Sequence, residues 1–236
     1  MMTSRWLWLI LVLHLLLGLA YDWATPILEA PDEGSHFAVV HWLAGGNPLP
    51  VQDPAAPDPT WAQEGSQPPL YYLLASRLAA LVDRSDSDAV FVRNPHTRIG
   101  VALTTHNVNL YRHPLEPAPM AGATLAIKLA RWFSLLISCA TIFFAYRLAR
   151  AVYPSHETLA LLTAALAAFN PMALFINASV NNDNLLILCC TAALWIMVRL
   201  MRAGATGYRR LALTLGVLLG LATLTKLSGM VLWPCA

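Results

Sequence analysis

The sequence predicts an all-α polytopic membrane protein with about five transmembrane helices. A large first extracytoplasmic loop carries two juxtamembrane helices. Three observations predict this. Of 236 residues, 57% are hydrophobic and 12% charged, about half the charged share of an ordinary globular domain. The apolar residues come in runs long enough to cross a bilayer. Polar punctuation is concentrated instead of spread: eleven of thirteen acidic residues lie between Asp22 and Glu116, and thirteen of sixteen prolines between Pro26 and Pro119. A net charge of +2 gives no basic field, which argues against nucleic acid as a partner. Cys139, Cys189, Cys190 and Cys235 all sit in apolar runs without a CxxC spacing, so neither a disulfide framework nor a zinc site is indicated.

The elements follow in order. Residues 6–25 form the first span, almost unbroken from Trp6 to Ala20 and extended by Tyr21 and Trp23 at the interface. Gly18-Leu19-Ala20 also fits a signal-peptide cleavage site, but the later spans make a retained helix the preferred reading. The outer loop covers 26–120. Its first surface helix, near 33–44, starts after Pro31 and stops at Gly45-Gly46. The second, 69–82, is entered through Gln67-Pro68-Pro69. Both are shorter than the roughly 20 residues a span needs, so they are expected along the membrane surface. Four more spans follow at 121–150, 157–178 (interrupted by Asn170-Pro171), 184–200 and 211–236. Arg5, Arg147, Arg150, Arg199, Arg202, Arg209 and Arg210 fall at alternate ends. The positive-inside rule then places the N-terminus in the cytoplasm and the loop outside, in a multi-pass protein of the cell membrane.

Chemistry gathers at Pro31-Asp32-Glu33-Gly34-Ser35-His36. Asp32 suits the N-cap of the helix that follows, but capping leaves Glu33 and His36 unexplained. A carboxylate at a helix start can also serve as general base toward a hydroxyl. Glu33 and His36, at i and i+3, share a face. No second Glu-x-x-His accompanies them, which argues against a di-iron site. His41 faces elsewhere and reads as a packed histidine. Asp183, beside Asn182, lies on the same outer face. With Asp32 it can share a divalent cation, Mg or Mn, completed by substrate phosphate. Lys226 lies deep in the last apolar run, where a charge needs a cavity or a partner. Either it or Arg131 can neutralise an anionic headgroup. Spacing alone gives Glu64 and Gln67 little weight.

Taken together, Pro31-Asp32-Glu33-Gly34-Ser35-His36-Phe37 resembles the "PDE..H" signature of bacterial GT-C superfamily membrane glycosyltransferases. These include the protein-mannosyltransferase-like and aminoarabinose-transferase-like enzymes. Gln67-Pro68-Pro69-Leu70-Tyr71-Tyr72 resembles their "PPLYY" element. Phe169-Asn170-Pro171, Asn182-Asp183 and Gly220 to Lys226 resemble later landmarks, in order. The resemblance implies transfer of a sugar from a polyprenyl-phosphate donor to a glycan, lipid or protein acceptor outside the cytoplasm. Asp32 or Glu33 takes the base role and Asp183 the second acidic position. His36, Glu64, Gln67 and Asn182 border the substrate, and Arg131 and Lys226 face the phosphate. The family has more spans than this chain, so the resemblance reads it as C-terminally truncated. The alternative is a non-catalytic membrane protein, either a transporter fragment or an envelope-assembly scaffold. Against it, most acidic groups sit in the outer loop and not at midplane on broken helices.

Overall fold

The computed structural model describes residues 5–53, 60–97, 109–113, 120–202 and 205–236. Parts of the expected outer loop (54–59, 98–108 and 114–119) lie outside the described residues. Within them the chain forms α1 (Arg5–Ala24), α2 (Glu33–Ala44), α3 (Leu70–Ala79) and a one-turn α4 (Ser87–Val90). The long α5 (Gly122–Val152) follows, then α6 (Glu157–Phe169), α7 (Pro171–Asn177), α8 (Asp183–Leu200) and α9 (Ala205–Thr225). Short 3₁₀ stretches occupy Ala62–Ser66 and Leu227–Cys235.

Three helices, α1, α5 and α8, are long and apolar enough to cross a membrane, and α6 with α7 makes a fourth if the bent pair is one span. Among the described residues α9 falls short of that standard, with Arg209 and Arg210 exposed in its first turns. The expected helix at 33–44 forms with those bounds. The second surface helix is shorter than 69–82, closing at Ala79. The span expected at 157–178 is two helices bent by 62°. Pro171 cannot donate to the ladder, and the Asn170 side chain instead caps the second piece through the Met172 and Ala173 amides. The helix expected to run from 211 to 236 stops at Thr225. Lys226 is extended (φ −160°, ψ 138°) and a 3₁₀ stretch follows.

α5 is the hub, packed on α1, α3, α6 and α8, while α9 lies against α8 and α2 against α3. Small residues allow the close approaches. Ala160, Ala164 and Ala168 repeat every fourth residue on α6 and are fully buried against Leu7, Ile142 and Tyr146, the small-residue packing that membrane helices favour. A Cβ at Gly18 would lie 2.3 Å from Leu135 Cδ2, so a larger residue there would have to push the Leu135 side chain aside. Buried His14 joins three helices, with Nδ1 2.8 Å from the Ala168 carbonyl and Nε2 2.7 Å from Ser138 Oγ. The outward side of α1 presents Trp6, Val12, Leu16 and Trp23, as a lipid-facing surface should.

Candidate functional site

Four charges are buried where α1, α2 and α5 meet. Asp22 closes α1, Glu33 opens α2, and Lys128 and Arg131 stand one turn apart on α5. Arg131 and Glu33 are fully buried and pair fork to fork. Nε lies 2.8 Å from Oε1 and Nη2 lies 2.6 Å from Oε2, the bidentate geometry that makes such pairs strong. Arg131 Nη1 also donates to Asp22 Oδ1 at 3.1 Å, and Lys128 Nζ donates to the same oxygen at 2.9 Å. The remaining guanidinium donors reach the carbonyls of Asp22, Thr25 and Pro26. Glu33 Oε1 further accepts the Val180 amide at 2.9 Å. Two negative and two positive groups leave the cluster neutral, as burial demands. Arg131, expected at a phosphate, is enclosed by protein acceptors, and Glu33 is occupied by Arg131 and Val180.

Asp32 is held differently. It occupies the N-cap position, yet its side chain makes no capping bond, so the capping alternative does not account for it. Its backbone is left-handed (φ 57°, ψ 4°), a conformation that costs a non-glycine residue roughly 1–3 kcal/mol and persists only where the surroundings impose it. The side chain is exposed. The segment before it is anchored through Glu29, whose carboxylate accepts the amides of Leu110 at 2.8 Å and Tyr111 at 2.9 Å and lies 2.7 Å from His113 Nε2. Tyr111 then lies on the first turn of α2, and a Cβ at Gly34 would stand 2.1 Å from its hydroxyl. Gly34→Ala is therefore expected to destabilise the chain by about 1–3 kcal/mol through overpacking, with partial recovery in Gly34→Ala/Tyr111→Phe. Thermal unfolding in detergent measures both. An alanine variant as stable as wild type would refute this contact.

The second group of candidates meets at the start of α8. Lys226 Nζ lies 2.7 Å from Asp183 Oδ1, and both side chains are about one-third exposed. The Asn182 amide donates to Gln67 Oε1 at 2.6 Å and to the Thr225 carbonyl at 3.3 Å. This joins the Pro68-Pro69 entry of α3 to the point where α9 breaks. Asn182 Oδ1 is buried without a partner among the described residues. His36 Nδ1 is 2.8 Å from Tyr72 Oη, and the rings stack. Burial lowers the His36 pKa to about 4, helped by Lys226 and opposed by Asp183, so the imidazole is neutral. Burial also raises the Glu64 carboxyl, and the charge of Asp32 adds to the rise. Asp32, Glu64, His36, Asp183 and Lys226 thus share one electrostatic neighbourhood. A cavity of about 340 Å³ adjoins it, lined by Val39, Leu43, Leu49, Gln67, Pro68, Tyr72 and Leu227 among others. A larger cavity of about 480 Å³ lies among Leu148, Leu194, Met197 and Leu215 and touches none of these groups.

The donor set does not fit a divalent cation held by protein alone. Among the described residues no three His, Cys, Asp or Glu side chains converge, and Asp183 Oδ1 is committed to Lys226. Nothing in the sequence singles out Asp22, Glu29 or Tyr111. Lys128, a charge inside the run of α5, was the available signal.

Residues 123–236 match the family model of the dolichyl-phosphate-mannose-protein mannosyltransferases. The match spans a little under half the chain, from the start of α5 onward, and includes Arg131, Asn182, Asp183 and Lys226. Asp32, Glu33, His36, Glu64 and Gln67 lie ahead of it. No curated protein matches the chain, and no solved structure does. The match supports a mannosyltransferase-like membrane glycosyltransferase.

Proposed function

We propose that the protein transfers a sugar from a polyprenyl-phosphate donor to an acceptor hydroxyl on the extracytoplasmic face, with inversion, and that α9 serves as a fifth span. The observation that carries this reading is Asp32, a carboxylate excused from helix capping and displayed on a left-handed turn. Glu64 feels the charges of both Asp32 and Lys226, and Lys226 is paired with Asp183. In the reaction the acceptor oxygen gives its proton to Asp32 and bonds to the anomeric carbon. The bond from that carbon to the phosphate oxygen breaks, and the phosphate leaves with the electron pair. The Lys226 ammonium neutralises the leaving phosphate, with Asp183 holding the amine until the donor arrives. His36, Glu64, Gln67 and Asn182 border the sugar.

A sugar-transfer assay with purified protein, a polyprenyl-phosphate sugar and a short alcohol tests this directly. Absence of transfer across donor sugars would leave the non-catalytic reading. Lys226→Gln is expected to lower donor kcat/KM by roughly 10- to 100-fold, the worth of a hydrogen bond to a charged group. A chelator is expected to change nothing. Loss of transfer in chelator, restored by Mg or Mn, would instead give the cation role to Asp32 and Asp183.

Orientation is open to a separate measurement. Arg147 and Arg199 both lie over Trp195, and Arg202 donates to the carbonyls of Ala151 and Val152. These basic residues therefore gather at one end of the bundle, the end that the positive-inside rule assigns to the cytoplasm. A cysteine at Asp88 is expected to react with an impermeant reagent added outside, and one at Arg209 is not. The reverse pattern would invert the topology.

A further inference from the structure

The buried quartet of Asp22, Glu33, Lys128 and Arg131 is larger than packing requires. A single ion pair would tie α1 to α5. Here two pairs share Arg131, three backbone carbonyls fill its remaining donors, and a distant amide completes Glu33. Two of the groups adjoin the candidate site. Glu33 is bonded in sequence to Asp32, and Val180 stands two residues before Asn182. One carboxylate therefore touches the frame of the candidate base and the frame of the Asn182–Asp183 turn, which are about 150 residues apart in the chain.

We propose that the quartet is a positioning device, in which Asp22 and Lys128 fix Arg131, Arg131 fixes Glu33, and Glu33 holds Asp32 and the Val180–Asp183 turn in one rigid frame. None of the four touches substrate. The inference rests on Asp32 being the base of the proposed transfer. A rigid frame matters because misplacing a reacting group by about 1 Å costs on the order of 10²-fold in rate. The left-handed turn at Asp32 also relaxes unless both sides of it are held. Glu29 holds one side through Leu110 and Tyr111. Glu33 holds the other.

The test uses the full chain in lipid nanodiscs and two readouts. Hydrogen exchange is followed in peptides covering 29–33 and 180–183, for wild type, Asp22→Asn and Glu33→Gln. Among the described residues, hydrogen bonds lead from Asp22 to the 180–183 turn through Arg131 and Glu33. The isosteric substitution of Asp22 is therefore expected to speed exchange there by at least about tenfold, a loss of roughly 1.4 kcal/mol of local protection. Transfer is then measured in the same variants. Asp22→Asn should lower kcat about 10²-fold while donor KM moves only a few-fold. Formate should restore activity to Asp32→Ala and not to Asp22→Asn, because only the first lacks a base. Unchanged exchange at 180–183 would overturn the coupling, and faster exchange with normal kcat would overturn its role in positioning. Formate rescue of Glu33→Ala would make Glu33 the base and overturn both. A wild type that transfers no sugar sinks the transferase reading alone, since exchange still decides whether the frame is coupled.

Discussion

Asp32→Asn is expected to reduce sugar transfer by roughly 10²- to 10⁴-fold, the usual loss when a general base is removed. The substitution is a clean one. Asparagine tolerates a left-handed backbone about as readily as aspartate, and the wild-type side chain makes no capping bond to lose. The fold, the Glu33–Arg131 pair and the Lys226–Asp183 pair should all persist, so donor binding should survive while turnover disappears. Steady-state kinetics with a fixed acceptor, alongside donor binding by the same preparation, separates the two. Full turnover in Asp32→Asn would remove Asp32 from the chemistry.

Arg131→Met should have the largest effect on stability. It strips the bidentate partner from a carboxylate with no exposure at all and leaves Asp22 and Glu33 opposite Lys128 alone. Breaking a buried ion pair from one side costs about 3–5 kcal/mol, because the remaining charge is stranded. The double variant Arg131→Met/Glu33→Gln restores neutrality and keeps an acceptor for the Val180 amide. Most of the loss should therefore return. The folded fraction in detergent, followed by size-exclusion chromatography against temperature, reports both variants. A double variant no more stable than the single one would show that charge balance is not what the quartet supplies.

Much of the architecture was legible in the chain because local chemistry decides it. Pro31 and Gly45-Gly46 bound α2, and Asn170-Pro171 marks the bent span. The break at Lys226 was not legible. No glycine or proline occupies that point, and the helix ends where Asn182 takes the Thr225 carbonyl and Asp183 takes the Lys226 amine, both from α8 and the turn before it. The site divides in the same way. The pattern from Pro31 to His36 points to a functional carboxylate, but spacing cannot say which carboxylate faces outward. Glu33 is turned inward by Arg131, 98 positions later in the chain. Asp22 reads alone as an unremarkable charge near a span's end and Lys128 as a charge inside an apolar run, and the packing of α1 on α5 makes them a pair.

The bent pair of α6 and α7 bears on the bilayer itself. At 1.5 Å per residue, α6 rises about 20 Å, and α7, turned by 62°, adds about 5 Å along the same axis. That sum falls roughly 5 Å short of a hydrocarbon core of about 30 Å, and any tilt shortens it further. If the pair crosses as one span, lipids along this flank thin or lean to meet it. Under the proposed topology the outer leaflet dips beside the turn that carries Asn182 and Asp183. The lipid-borne donor of the proposed transfer would then stand partly withdrawn from its leaflet before any side chain touches it.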